Sequence, residues 1–233
     1  MHGFKARQGR FVARVDEGER AVVASVVADV LELLGAPRPG EEPIAADRAA
    51  TATGPDEPSD LPHLRTDTPA PPDDPAVMRL LPDASRDDPS LAAEFRRLTE
   101  DDLRAQKIDR LERLWQSLTA PGGGRRHDEL VVAAQDAPAF AAALTDVRLV
   151  LAERLDVHTD AEADAMYAVL GEPPPSSPAA RGDHETRRYL VSVYGALTWL
   201  QESLVVLMLA DARRRHPDTS AGTDGTGDVA GSG

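Results

Sequence analysis

The sequence predicts a mainly α-helical protein, a helical bundle with a small N-terminal antiparallel β-hairpin or three-stranded sheet. Aromatic residues make up only 4% of the 233 residues, so the core must be built from Leu, Val and Ala. Alanine and leucine favour helix, and apolar residues recur at spacings of three and four along several segments. We expect residues 1–35 and 77–215 to pack together as one domain.

Two segments are predicted to be disordered, an acidic linker at 36–76 and a C-terminal tail at 216–233. The linker holds ten of the 19 prolines and almost no recurring large apolar residue. The tail is rich in Gly, Ser, Thr and Asp. Such segments bury too little apolar surface to offset the chain entropy lost on folding.

A β-hairpin is predicted at the N-terminus. Residues 4–7 and 11–15 alternate in character around a short turn at 8–9 that contains glycine. Two strands alone are marginally stable, so the hairpin needs a partner. The β-branched run at 130–132 is the expected third strand.

The first helix is predicted at 17–34. Asp16 is a suitable N-cap, and acidic residues follow it in the first turn. Apolar residues from Val22 to Leu34 form one stripe at helical spacing. Gly35 is well placed to end the helix.

The second long helix is predicted from Pro89, after Asp88 as its cap, to Leu118. Thr99 and Asp102 resemble a capping box, which favours a kink or restart at Thr99. We expect the large apolar side chains of this stretch to face the core: Phe95, Leu98, Leu103, Ile108, Leu111, Leu114, Trp115 and Leu118.

Three further helices are predicted, at 136–155, at 160–170 and, longest of all, at 184–215. The stretch 189–210 is nearly long enough to span a bilayer. Gln201 and Glu202 lie just past its middle, and a carboxylate in hydrocarbon is costly. We therefore expect a buried helix of a soluble protein, with Trp199 in the core, and a cytoplasmic location. An N-terminus without an apolar signal region agrees with that location.

The formal net charge of −14 argues against direct DNA binding, which needs cationic contacts to phosphates. The charge is unevenly spread, because 36–76 holds nine acidic and three basic residues and 216–233 holds three acidic residues and no Lys or Arg. The remainder is close to neutral, which leaves a basic patch on the folded part open. The triple arginine 213–215 suits a helix C-terminus, with a phosphate or acidic-partner patch as the alternative.

No catalytic or metal-binding pattern occurs in the sequence. The chain has no cysteine, which excludes disulfides, thiolate catalysis and thiolate metal sites. The six histidines are isolated from one another, and the glycines at 122–124 lack the context of a phosphate loop. We therefore predict a non-enzymatic protein without cofactor or metal, with a small helical hydrolase as the enzymatic alternative.

Four blocks of sequence together resemble one actinobacterial family, the AosR-like family. They are RLLPDASRDD at 79–88, EFRRLTEDDLRAQK at 94–107, ALTDVRLVLAERL at 143–155 and LTWLQESLV at 197–205. The family, formerly a domain of unknown function, is described as oxidative-stress transcriptional regulators encoded near the ClpS protease adaptor. The resemblance covers 4–35 and 77–210. It also implies oxidant sensing by a cysteine disulfide, which a chain without cysteine cannot perform.

The resemblance implies a regulatory protein that acts by protein–protein contact in transcriptional stress regulation. A sigma factor or RNA polymerase is the partner it implies. An adaptor or scaffold of the ClpS/Clp proteolysis system is the alternative, and a homodimer is left open. Without cysteine, any redox response must come from Met78, Met166 or Met208, which are poorer sensors, or from another protein.

The candidate partner-contact or buried ion-pair residues are Arg96, Arg97, Arg148, Gln201 and Glu202. If the polar groups in LTWLQESLV are buried, each needs a partner. We expect one of the three arginines to pair with Glu202 across two helices, because buried charges usually need pairing. A structural role for this contact is favoured over a functional one. Arg96 and Arg97 are where a partner contact is otherwise expected.

Overall fold

The computed structural model describes residues 1–40, 72–85, 87–120 and 128–215. Most of the predicted linker and the whole of the predicted tail lie outside these residues. The described ends of the linker pack on the helices. Arg38 pairs with Asp29 at 2.8 Å and with Glu32 at 2.5 Å, and Ala76 is fully buried. The ordered segments therefore extend further than predicted on both sides.

The described residues form three strands and six α-helices. In chain order they are β1 (His2–Arg7), β2 (Arg10–Arg14), α1 (Glu17–Leu33), α2 (Pro75–Leu80), α3 (Pro89–Thr119), β3 (Glu129–Ala133), α4 (Ala137–Arg154), α5 (Asp160–Met166) and α6 (Pro178–Arg215). A 3-10 turn, Tyr167–Leu170, continues α5. The predicted fold class, mainly helical with a small antiparallel sheet, is confirmed.

The sheet has the strand order β1-β2-β3, and both pairings are antiparallel as predicted. The hairpin turn is made by Gln8 and Gly9, whose φ angles are 47° and 73°. Positive φ at both central residues is the geometry that matches the twist of a two-residue hairpin. Phe11 on β2 lies opposite Val132 on β3, and both are buried, so this face of the sheet meets the helices.

Helix α1 begins with the predicted cap. The Asp16 carboxylate accepts a hydrogen bond from the Glu19 amide at 2.9 Å, and the Glu19 carboxylate accepts one from the Asp16 amide at 2.9 Å. Arg20 is buried, which was not expected for a charged residue. It donates to the carbonyls of Val15 at 3.1 Å and Glu129 at 2.5 Å. It thereby ties α1 to two strand ends.

Helix α3 runs without interruption for 31 residues, so the predicted restart at Thr99 is wrong. The Thr99 hydroxyl does not cap a new helix. It donates to the carbonyl of Phe95, four residues earlier, at 2.8 Å, and so remains compatible with a continuous helix.

Of the last two predicted helices, α5 begins at Asp160 as predicted, and α6 differs at its start. Thr159 caps α5, in a reciprocal pair with Glu162 at 2.9 and 3.2 Å. Helix α6 begins at Pro178, earlier than the predicted His184, and reaches 38 residues.

One core joins the sheet to α1, α2, α3, α4 and α6. Its fully buried leucines include Leu31, Leu111, Leu144 and Leu197. A smaller cluster around Leu155, contributed by α4, α5, the 3-10 turn and α6, lies beside it.

Helices α3 and α4 also share a buried ion pair. Lys107 Nζ lies 2.5 Å from Asp146 Oδ1, and the two side chains are only 12% and 5% exposed. Removing either partner would leave a buried charge without its counterion.

Candidate protein-binding surfaces

The N-terminal half of α3 carries large apolar side chains on its solvent side. Leu91, Phe95 and Leu98 are 55%, 51% and 56% exposed. They lie four and three residues apart and therefore on one face of the helix. We call these three residues the α3 stripe. The prediction that Phe95 and Leu98 face the core is wrong.

The reason lies in the other half of the helix. Leu111, Leu114 and Leu118 are buried and fix which side of α3 meets the core. Continuing that side toward the N-terminus at helical spacing reaches Arg96 and Glu100. The opposite side, which carries the α3 stripe, must then face solvent.

Arg96 forms a nearly buried ionic contact beneath the stripe. Its side chain is 10% exposed and pairs with Asp83 and, at 3.6 Å, with Glu100. Glu100 is also contacted by Arg104 at 2.7 Å. Arg96 thus belongs to an ion-pair network that links the residues after α2 to α3.

Arg97 lies at the surface beside the stripe. It binds Glu94, one turn earlier, through two contacts at 2.7 and 3.1 Å. This hydrogen-bonded pairing lowers the pKa of the Glu94 carboxyl below its ordinary value, so the pair stays ionised at neutral pH.

A pocket of about 250 Å³ adjoins the α3 stripe. It lies between α3 and the residues that follow α2. Its lining is mostly apolar, with an ionic group at Arg96 and Glu100: Leu81, Pro82, Asp83, Ala84, Ala92, Phe95, Arg96, Thr99, Glu100 and Leu103. Phe95 therefore belongs both to the exposed stripe and to the wall of a recess.

Arg148 and Gln201 meet between α4 and α6. Arg148 Nη1 donates to Gln201 Oε1 at 2.7 Å, and its guanidinium lies 5.1 Å from the centre of the Tyr194 ring. Gln201 Nε2 donates to the carbonyl of Ala141 at 3.1 Å and to Thr145 Oγ1 at 2.6 Å. These contacts give Gln201 and Arg148 a structural role between the helices.

The predicted contact of an arginine with Glu202 is wrong. Glu202 is exposed, and it makes no ion pair with any residue in the part of the chain that the structure describes. One residue along a helix turns the side chain by about 100°. The position that reaches Arg148 is therefore Gln201, and Glu202 points away from α4.

The C-terminal half of α6 also exposes apolar side chains. Trp199, Val206 and Leu209 are 47%, 65% and 54% exposed, so the prediction that Trp199 lies in the core is wrong. By length and composition α6 is, among the described residues, a helix that could cross a membrane, and only 22% of its most apolar window is buried.

The inner side of the same helix half is firmly docked. The amide of Phe4 on β1 donates to Ser203 Oγ at 2.9 Å. A Cβ at Gly3 would lie 2.9 Å from Ser203 Cβ, so only glycine allows β1 to approach α6 this closely. Leu200 and Leu204 are buried. The exposed side chains therefore project from a fixed helix.

The three consecutive arginines at 213–215 differ in their ion pairs. Arg214 and Arg215 both pair with Asp211. Arg213 is exposed and makes no ion pair within the described ranges.

A basic patch lies on the outer face of the sheet. Lys5, Arg7, Arg10 and Arg14 are all exposed, and Arg7 lies directly opposite Arg10 across the hairpin. Arg7 also contacts Glu129 at 3.2 Å. A second recess, of about 410 Å³, lies between α3, β3 and α4, with Arg110, Arg113 and Phe140 among its lining residues. Sequence alone did not locate either feature.

In the described ranges, no three His, Asp or Glu side chains are arranged to hold a metal ion.

A family described as a domain of unknown function, DUF2017, matches residues 1–208. No curated protein matches the chain, and no solved structure matches it. The match spans most of the sequence, and the chain therefore belongs to the DUF2017 family.

Proposed function

We propose that this protein is a non-enzymatic regulatory module that binds another protein through the α3 stripe. The observation that carries the proposal is the exposure of Leu91, Phe95 and Leu98, each more than half accessible on adjacent turns. Contiguous exposed apolar patches on soluble proteins mark interaction sites more often than scattered apolar residues do. A partner that covers this stripe removes apolar surface from water on both sides.

The charges around the stripe support a protein partner. Arg97 is already paired with Glu94 at 2.7 Å, so a partner covering Leu98 does not have to supply a counterion there. Leaving a charge buried and unpaired would oppose binding. The recess beside Phe95 offers space for a side chain of the partner, and anchors in pockets dominate interface energies.

For the partner we propose a component of the transcription machinery, a sigma factor or RNA polymerase. This part of the proposal rests on the resemblance of the sequence blocks to a family of regulators. The block at 94–107 contains two residues of the α3 stripe. A net charge of −14 also favours regulation through protein contact over a helix inserted in the major groove.

The direct test is a binding assay with purified RNA polymerase, with and without its alternative sigma factors, from the source organism. The wild-type chain is compared with a variant carrying Leu91→Ser, Phe95→Ser and Leu98→Ser. Val131→Ser is the matched control, because Val131 is an apolar residue 45% exposed on the sheet. We expect wild type and control to bind and the triple variant to lose binding at least tenfold, a loss of about 1.4 kcal/mol or more.

Absence of polymerase and sigma factor from the bound fraction, together with unchanged gene expression on deletion, would end the transcriptional proposal. Recovery of ClpS or Clp components through the same three side chains would assign the stripe to the proteolysis adaptor role instead. In that case substrate turnover should change on deletion.

A further inference from the structure

The exposed side of α6 has the residue spacing of a helix–helix seam. Trp199, Glu202, Val206, Leu209 and Arg213 follow one another at intervals of three, four, three and four, and all five are exposed. This is the spacing at which helices pack side by side in coiled coils. We call these five residues the α6 seam. It lies on the side opposite the buried Leu197, Leu200 and Leu204.

The charges of the α6 seam are ordered. Val206 and Leu209 form its apolar centre, Glu202 lies before them and Arg213 after them. Across the described residues, neither Glu202 nor Arg213 has an ion-pair partner. The neighbouring Asp211 is already engaged by Arg214 and Arg215. Two opposite charges, neither paired with another described residue, thus lie on either side of an apolar centre.

We infer that the α6 seam binds a second copy of this chain in antiparallel orientation. A two-fold axis placed between Val206 and Leu209 brings Val206 of one copy against Leu209 of the other. The same axis brings Glu202 against Arg213 of the other copy, and it does so twice. A surface that is complementary to itself in this way is the requirement for a two-fold dimer.

Other occupants fit the α6 seam less well. A parallel dimer would place Glu202 against Glu202 and Arg213 against Arg213, and like charges in contact oppose association. A bilayer would have to accept Glu202 beside Val206, and a carboxylate within hydrocarbon is expensive.

The dimer should be weak. Four turns of a single helix cover less than the roughly 800 Å² per partner of a standard interface. We therefore expect dissociation constants of the order of 10 μM rather than nanomolar values. The ion pairs lie at the ends of the apolar centre, where solvent screens them, so association should weaken as salt is raised.

Sedimentation velocity of the full chain from about 1 to 300 μM, a range that spans the expected constant, tests the inference. The variants are Glu202→Arg, Arg213→Glu and the double exchange of both. We expect each single exchange to weaken dimerisation roughly tenfold or more, because it creates two like-charge contacts. The double exchange should return the constant to within about threefold of wild type, because it restores both pairs.

Glu185→Arg is the matched control, because it makes the same charge change at an exposed position of the same helix outside the α6 seam. It should leave the constant unchanged. Val206→Asp should abolish the dimer without lowering the melting temperature of the monomer, since Val206 is 65% exposed.

A wild-type chain that stays monomeric over the whole range would overturn the inference. A double exchange as weak as the single exchanges would overturn the antiparallel pairing. Co-sedimentation with vesicles of phosphatidylcholine and phosphatidylglycerol that Val206→Asp abolishes would assign the seam to a lipid surface instead. The triple variant of the α3 stripe should still dimerise, so this result is separable from the proposed function.

Discussion

The α3 stripe and the α6 seam are both apolar surfaces on long helices, and they differ in the charges beside them. Beside the stripe, Arg97 is paired with Glu94 within the chain. Along the seam, Glu202 and Arg213 have no ion-pair partner among the described residues and carry opposite signs. Exposure makes both of them candidate contact surfaces, and we propose that the state of the neighbouring charges distinguishes the partner of each.

A surface with a neighbouring charge that is already paired, as Arg97 is with Glu94, does not require a counterion from its partner at that point. It therefore suits a protein that supplies apolar anchors, as we propose for the α3 stripe. Unpaired charges in a self-complementary order require the same order in reverse on the partner, which a second copy supplies. The comparison thus predicts that reversing a charge weakens binding at the α6 seam but not at the α3 stripe.

The largest effect is expected at the buried ion pair between α3 and α4. Lys107→Met leaves Asp146, whose side chain is 5% exposed, without its cation. We expect a loss of about 3–5 kcal/mol in the free energy of unfolding, measured by urea denaturation. The double variant Lys107→Met with Asp146→Leu should recover most of it. A loss below about 1 kcal/mol for the single variant would show that the pair does not hold the helices together.

The next effect separates two neighbouring residues of α6. Gln201→Leu removes hydrogen bonds to Arg148, Ala141 and Thr145, and we expect it to lower the unfolding free energy by about 1–3 kcal/mol. Glu202→Leu changes an exposed position and should stay within about 0.5 kcal/mol of wild type. Both variants are measured by thermal and urea unfolding. If Gln201→Leu and Glu202→Leu lowered the unfolding free energy equally, Gln201 would not have the structural role that distinguishes it from the exposed Glu202.

A smaller effect on stability is expected at the α3 stripe itself. Phe95→Ser should change the unfolding free energy by no more than about 1 kcal/mol, because the ring is already half exposed. Leu111→Ala, on the buried side of the same helix, should cost about 2–5 kcal/mol. If Phe95→Ser were as destabilising as Leu111→Ala, the stripe would be part of the core rather than a contact surface.

The smallest effect is expected at Asp74, which caps α2 and pairs with Arg154 on α4 at 2.6 Å. The hydrogen bond from Arg154 lowers the pKa of the Asp74 carboxyl, and the amide of Ala76 adds to this. A lowered folded-state pKa gives stability that is present above the ordinary pKa, near 4, and is lost as pH falls through the folded value.

Asn can still cap the helix, so Asp74→Asn isolates the pairing with Arg154. We expect a difference of roughly 0.5 kcal/mol or less from wild type at pH 7, vanishing in urea titrations toward pH 2. A difference that persists unchanged in acid would assign it to something other than the Asp74 charge.

Features set by local chemistry could be predicted from the sequence. The hairpin turn at Gln8 and Gly9, the Asp16 cap and the third strand all follow from residues within a few positions of each other or from a clear β-branched run. Arg148 was one of three arginines expected to pair with Glu202, and its contact with Gln201 was not predicted.

Features that depend on which side of a helix is buried could not be predicted. Phe95, Leu98 and Trp199 are apolar, and hydrophobicity alone places them inside. The side that meets the core is fixed by the other half of α3, and for α6 by its contacts with β1 and α4. Thr99 has the sequence of a cap but donates within a continuous helix, because the residues on both sides already favour one helix.

One binding measurement tests most directly the claim that neighbouring charges distinguish the two surfaces. Wild type, Glu202→Arg and the triple variant of the α3 stripe are each titrated into purified RNA polymerase with its sigma factor. The self-association of each variant is measured in the same buffer. We predict that Glu202→Arg dimerises roughly tenfold or more weakly than wild type but binds polymerase like wild type, while the triple variant dimerises like wild type and binds polymerase at least tenfold more weakly. Loss of both activities in either variant, or polymerase binding by the triple variant equal to wild type, would contradict the account.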